Sequence, residues 1–270
     1  MQRENEFLSR NDVEDLNDLA SSIADYYFPY GQIDPIVIAE KNNITYSFGN
    51  YSDSFDGLIE CENEDFHIFI NLDRLKQTYS ERARFTLGHE LGHYFIDNHR
   101  NSLLKGLSPS HCSFTGFQSK NKAERQADYF SSCLLMPELG FRKYCHRKKF
   151  EYRIIDELSK KYGTSKSATA IRFCAIGNHP IMVVYAYENK IKWYWSSDDF
   201  RFRWLKYGKD KLPEDTVAGE YFTLGRTVAG TEPVFAMDWF NVKFSHQAEL
   251  PFKEHSLLQG KHSLSIIWED

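Results

Sequence analysis

The chain has 270 residues, of which 41% are hydrophobic and 26% charged, and its formal net charge is −5. That composition describes a folded soluble protein with room for one large domain or two ordinary ones, and its mild acidity gives no bulk attraction to nucleic acid. No apolar run approaches the length of a membrane span, and the polar start MQRENEFLSRND has no signal-peptide core, so the expected location is the cytoplasm with no membrane partner.

Residues 12–27 place Leu16, Leu19, Ala20, Ile23 and Ala24 at helical core spacing, and a short helix opened by Pro35 follows to residue 41. Strand-like runs are expected at residues 44–48, 58–61 and 66–71; in the last, Phe66, Ile68 and Ile70 alternate with His67 and Phe69. This third strand is read as an ordinary core strand, with the alternative that it forms a sheet edge able to hold an extended peptide. Ser80-Glu81 reads as a helix start, with Ser80 as the cap, and the helical run extends to Ile96 through Ala83, Leu87, Leu91, Tyr94 and Phe95.

Inside that helix lies Gly88-His89-Glu90-Leu91-Gly92-His93. Residues at i and i+4 share a helix face, so His89 and His93 can hold one metal ion while Glu90 is turned towards the water such an ion would activate. Gly88 and Gly92 each cost about 1 kcal/mol against Ala in a helix interior, and their spacing would let another backbone approach closely.

A catalytic zinc site needs a third protein ligand and an open fourth position. The best donor lies on a second amphipathic helix that runs from Asn121 through Met136 and stops at Pro137. Glu124 and Asp128 stand at i and i+4 there. One carboxylate can ligate the metal while the other accepts an imidazole N–H, and the assignment made is Glu124 as ligand and Asp128 as its support. Two imidazoles and a carboxylate suit zinc better than magnesium or calcium, so one zinc per chain is expected.

Five cysteines (Cys61, Cys112, Cys133, Cys145, Cys174) are scattered without a C-x-x-C pair and read as reduced thiols; Cys112, beside His111, is a minor candidate for an extra ligand. Residues 154–175 read as two short helices broken at residues 161–165. The pair resembles a helix-turn-helix, but its second helix offers only Lys166 and Arg172 to phosphates, so packing against the catalytic domain is preferred over DNA recognition.

All five tryptophans lie beyond residue 180. A hairpin at residues 181–187 and 191–195 and a closing strand at 264–268 suggest a second, strand-rich domain. Within it, residues 201–207 alternate bases with aromatics. That pattern is read as core or partner surface, over the alternative of a platform for single-stranded nucleic acid.

Three stretches together resemble the ImmA/IrrE family of metallo-endopeptidases: residues 84–93 (RFTLGHELGH), residues 124–130 (ERQADYF) and Leu134-Leu135-Met136-Pro137. The resemblance covers roughly residues 30–176. It implies a zincin-like fold with His89, His93 and Glu124 as metal ligands and Glu90 as general base. It also implies a protein partner, a helix-turn-helix repressor that is cleaved or regulated. The family often has Asn where this chain has Asp128.

The reading is therefore an α+β protein. A zincin-like metallopeptidase domain at 1–177 carries the helix pair, and an aromatic-rich recognition or sensing domain occupies 178–270. Its expected function is zinc-dependent cleavage of a regulatory protein, without direct nucleic-acid binding. The rivals are a non-proteolytic, zinc-stabilised binder of a repressor and a DNA-binding regulator. Tyr94, His99, Tyr144 and His146 are candidates by type for stabilising an oxyanion, with none assigned.

Overall fold

The computed structural model describes residues 8–29, 31–107, 111–113 and 121–270, with the side chains of residues 111 and 112 outside that description. By compactness the chain divides into two units, Met1–Gly140 with Lys160–Ser165, and Phe141–Ser159 with Lys166–Asp270. This division differs from a boundary at Gly177, because most of the helix pair groups with the strand-rich part.

The first unit opens with α1 (Arg10–Tyr27), whose N-terminus is closed by a reciprocal capping box between Ser9 and Asp12. Helix α2 (Pro35–Lys41) begins at a proline behind its cap Asp34. Strands β1 (Thr45–Gly49), β2 (Gly57–Glu62) and β3 (Asp65–Asn71) follow, then the single turn α3 (Leu72–Leu75) and the helices α4 (Glu81–Phe95) and α5 (Asp97–Leu104). A short strand β4 (His111–Ser113) precedes α6 (Lys122–Leu135), and α7 (Glu138–Cys145) starts just after Pro137.

The sheet order is β1-β3-β2-β4, with β1 parallel to β3 and the other pairs antiparallel. Strand β3 is thus bonded on both sides, so it cannot add a peptide strand; among the described residues the sheet edges are β1 and β4. The core-strand reading of residues 66–71 holds, and the sheet-edge alternative is overturned. Phe66, Ile68 and Ile70 turn one face of β3 to the core, where they join Leu16 and Ala20 of α1, Ile38 of α2, Leu87 and Leu91 of α4, and Phe130 and Leu134 of α6. The period-2 strand pattern and the period-3.6 helix patterns therefore meet in one apolar layer.

The second unit contains most of α8 (Tyr152–Tyr162) and all of α9 (Lys166–Ile176). Its antiparallel sheet has the order β6-β5-β9-β8-β7, built from β5 (Ile181–Tyr187), β6 (Lys190–Ser196), β7 (Thr231–Phe235), β8 (Pro251–Gln259) and β9 (His262–Glu269). The expected hairpin is present, and Glu188 and Asn189 at its tip both have positive φ (49° and 61°), as a two-residue turn of the twisted-hairpin type requires.

Helix α10 (Val217–Leu224) and the turn α11 (Ala236–Trp239) cover one sheet face, over a core of Phe200, Phe202, Trp239, Phe240 and Phe252. Residues 201–207 form no strand. Phe202 stacks on Phe240 in this core while Trp204 stays 47% exposed, so the basic–aromatic alternation is an irregular segment split between core and surface. Glu254 of β8 is fully buried and accepts from the backbone N–H groups of Val217 and Ala218, from Trp239 Nε1, and from the hydroxyls of Ser256 and Ser265. It ties the N-terminus of α10 and α11 to the sheet.

Among the described residues no helix is long and apolar enough to cross a membrane. Cys133 and Cys145 are buried and Cys61 and Cys174 partly so, with no disulfide among these four; the Cys112 side chain lies outside the described residues.

Candidate metal centre

Helix α4 starts where the sequence places it, with the Ser80 hydroxyl accepting from Ala83 N–H. It runs almost entirely buried from Phe85 to His93. Such burial needs a close neighbour on both sides, and α6 supplies one. A Cβ at Gly92 would lie 3.1 Å from the Ala127 Cα, and one at Gly88 would lie 2.6 Å from Ser131 Oγ, so the two glycines let α6 approach to backbone distance. The same approach brings Glu124 of α6, in its first turn behind the cap Asn121, over the imidazoles of α4.

His89 Nε2 and His93 Nε2 are 3.2 Å apart. Glu124 reaches both, Oε2 lying 3.4 Å from His89 Nε2 and Oε1 3.3 Å from His93 Nε2. One ligand atom from each residue falls within a 4.8 Å cluster, and all three residues are buried. Zinc bonds of about 2.0–2.1 Å in tetrahedral array separate neighbouring ligand atoms by about 3.3 Å, so this donor set fits that ion.

Asp128, one turn on from Glu124, accepts a 2.8 Å hydrogen bond from His89 Nδ1–H. In the neutral ring that bond holds the proton on Nδ1 and leaves the Nε2 lone pair facing the cluster.

The electrostatics separate the two histidines. Burial opposes charge on His89, but its bonds to Asp128 and Glu124 outweigh this and raise its pKa to about 10. Burial dominates at His93 and lowers it to about 3. Glu124 is desolvated too, yet its contacts with the two imidazoles hold its carboxyl well below the usual range. Without metal the cluster thus keeps one proton, which a bound cation would displace.

Glu90 is fully buried and neither of its oxygens has a hydrogen-bond partner of ordinary geometry. Burial pushes its pKa to about 8, opposed by the His89 charge and the Ser113 hydroxyl. Its carboxylate sits against Gly57 of β2. The structure therefore brings His89, His93, Glu124 and Asp128 together, with Glu90 on the sheet side of the same helix.

The other candidates separate from the cluster or join it peripherally. Asp97, four residues beyond His93, is exposed at the start of α5. The Tyr94 ring packs edge-on against Phe66 with the Arg100 guanidinium over it. His99 is buried, its ring 5.0 Å from that of His93 and its Nε2 3.0 Å from Gln126 Oε1. Tyr144 and His146 fall in the second compact unit, where Tyr144 bonds Glu157.

Sequence reasoning did not find the loop that leads into β2. There Asp56 is fully buried between Arg74 Nε at 2.6 Å and Arg82 Nη2 at 2.9 Å. Its backbone N–H donates to Ser113 O of β4. No spacing rule connects residues 56, 74, 82 and 113.

A search of curated protein sequences returns no match. Among solved structures, a chain described as a Mycobacterium tuberculosis transcriptional regulator shares the fold with a TM-score of 0.62 and 11% identity, over 95% of this chain and 76% of that one. Residues 65–173 match the family model described as the IrrE N-terminal-like domain, a peptidase family. That stretch holds His89, Glu90, His93, Glu124 and Asp128, so the part of the chain that carries the candidate site is similar to that family, as its motifs imply.

Proposed function

We propose that the chain is a zinc-dependent endopeptidase that cleaves a regulatory protein, with a helix-turn-helix repressor as the natural substrate. The observation that carries this reading is the convergence of His89, His93 and Glu124 beside a buried, unpartnered Glu90. Zinc held by those three residues would supply a Lewis acid that polarises the scissile carbonyl and brings the pKa of water towards neutrality.

The remaining chemistry belongs to the chain. Glu90 takes the proton of the attacking water and delivers it to the leaving amine, a task suited to a carboxylate whose burial already raises its proton affinity. Asp128 keeps the His89 ring in one tautomer and orientation. Strand β4, at a sheet edge and carrying Ser113 beside Glu90, is positioned to hold an extended peptide by strand addition. Residues 178–270 select or license the substrate.

Co-expression with any helix-turn-helix repressor encoded beside this chain, followed by mass analysis for a new peptide end, tests the proposal. Fragments are expected from the native protein and none from Glu90→Gln, whose zinc content should be unchanged. Fragments from both forms, or from neither, would overturn it.

A further inference from the structure

We infer that Gly57 and Ser113 form a seat that positions the Glu90 carboxylate, the glycine opening the space and the serine hydroxyl fixing the orientation. The task given to Glu90 rests on the hydrolytic reading; the seat itself rests on packing.

Gly57 and Ser113 are cross-strand partners on β2 and β4. A Cβ at Gly57 would lie 2.5 Å from Glu90 Oε1 and 2.6 Å from Thr86 Cγ2, so any side chain there displaces the carboxylate or the helix. Ser113 is fully buried, and its Oγ, like both Glu90 oxygens, has no hydrogen-bond partner of ordinary geometry. Directly opposed residues of an antiparallel pair project to the same face of the sheet, so the Ser113 hydroxyl lies on the face where Gly57 meets the Glu90 carboxylate.

The seat is itself held. Ser113 O accepts from Asp56 N–H at 2.8 Å, Asp56 O accepts from Asn71 N–H at 3.0 Å, and the Asp56 carboxylate is fixed by Arg74 and Arg82. A base approached by one hydroxyl is oriented while it keeps lone pairs for the substrate water. Displacements of about 1 Å at such a group can cost about 100-fold in rate.

The test uses the full-length, zinc-loaded protein in two double-mutant cycles read by melting temperature: Gly57→Ala and Ser113→Ala, each with Glu90 and with Glu90→Ala. Gly57→Ala is expected to lower the melting temperature by several degrees beside Glu90. At least half of that loss should disappear in the Glu90→Ala background, the remainder reflecting Thr86. Ser113→Ala should likewise show a different shift in the two backgrounds. Equal shifts in both backgrounds, for either residue, would overturn the seat.

On the repressor cut by the native form, Ser113→Ala should lose about 10–100-fold in kcat. KM should stay within about twofold and zinc content should not change. Ser113→Thr, which keeps the hydroxyl, should recover most of the loss. A loss carried by KM, or one that Ser113→Thr fails to recover, would count against the orienting role. The melting cycles decide the seat even if no substrate is cut, an outcome that would remove the hydrolytic reading alone.

Discussion

Replacing Asp128 by alanine removes the hydrogen bond that it accepts from His89 in the candidate metal centre, and the size of that loss follows from the geometry. The bond from His89 Nδ1–H to Asp128 Oδ1 is 2.8 Å long, and both side chains are buried, with Asp128 5% and His89 1% exposed. A bond to a charged acceptor in that setting is worth about 1.5–3 kcal/mol. Lost from the ligand side only, this corresponds to a zinc dissociation constant raised roughly 10–100-fold, the range usual for a carboxylate that supports a ligating histidine. Asp128→Asn is the informative companion. Its amide oxygen can still accept the N–H and keep the tautomer, but a neutral bond is worth only about 0.5–1.5 kcal/mol, so its loss should stay within about tenfold. Competition against a chelator of known affinity at constant pH measures both variants. Unchanged affinity in Asp128→Ala, or Asp128→Asn as damaging as Asp128→Ala, would refute the argument that this carboxylate acts by orienting His89.

Glu124→Ala should abolish tight zinc binding outright, a much larger effect than Asp128→Ala, as metal analysis after chelator dialysis would show; retained stoichiometric zinc would remove Glu124 from the ligand set. Glu254→Ala strands the N–H groups of Val217 and Ala218 and the Trp239 indole in a dry interior, at about 1–3 kcal/mol for each unsatisfied group and so roughly 3–9 kcal/mol in all. Denaturation followed by tryptophan fluorescence checks this, and a loss under about 1 kcal/mol would mean the pocket rearranges or hydrates. His255 stacks on Tyr152 at 3.6 Å, and burial with the nearby Lys166 charge lowers its pKa from 6.5 to about 4. The unfolded chain therefore takes up a proton first, and this contribution to stability is lost as pH falls from about 6.5 towards 4. His255→Gln should flatten that part of the melting-temperature profile relative to native.

Local sequence alone determined the helix that carries His89, Glu90 and His93 and their placement on it, because a helix fixes the relation of residues three and four apart whatever surrounds it. His89, Glu90 and His93 acquired their faces from spacing, and Ser80 announced the cap that the structure contains. The alternation of Phe66, Ile68 and Ile70 likewise marked a strand with one buried face. Strand order is different in kind, since it depends on hydrogen bonds between segments distant in the chain. Nothing in residues 66–71 could say that β1 and β2 would occupy both flanks of β3 and leave the tiny β4 at an edge.

Residues 201–207, read as core or partner surface, make a related point. Period-2 alternation is compatible with a strand, but the segment finds no ladder partner beyond the bridge from Leu205 to Phe240, and its aromatics are divided between core and solvent. Tertiary structure alone decided that Glu124 lies over the two imidazoles, that Asp56 is locked by Arg74 and Arg82, and that Gly57 and Ser113 enclose Glu90. Each of these contacts joins segments whose separation in sequence carries no periodic signal. They form only when burial of the apolar layer brings α4, α6 and the sheet to close range.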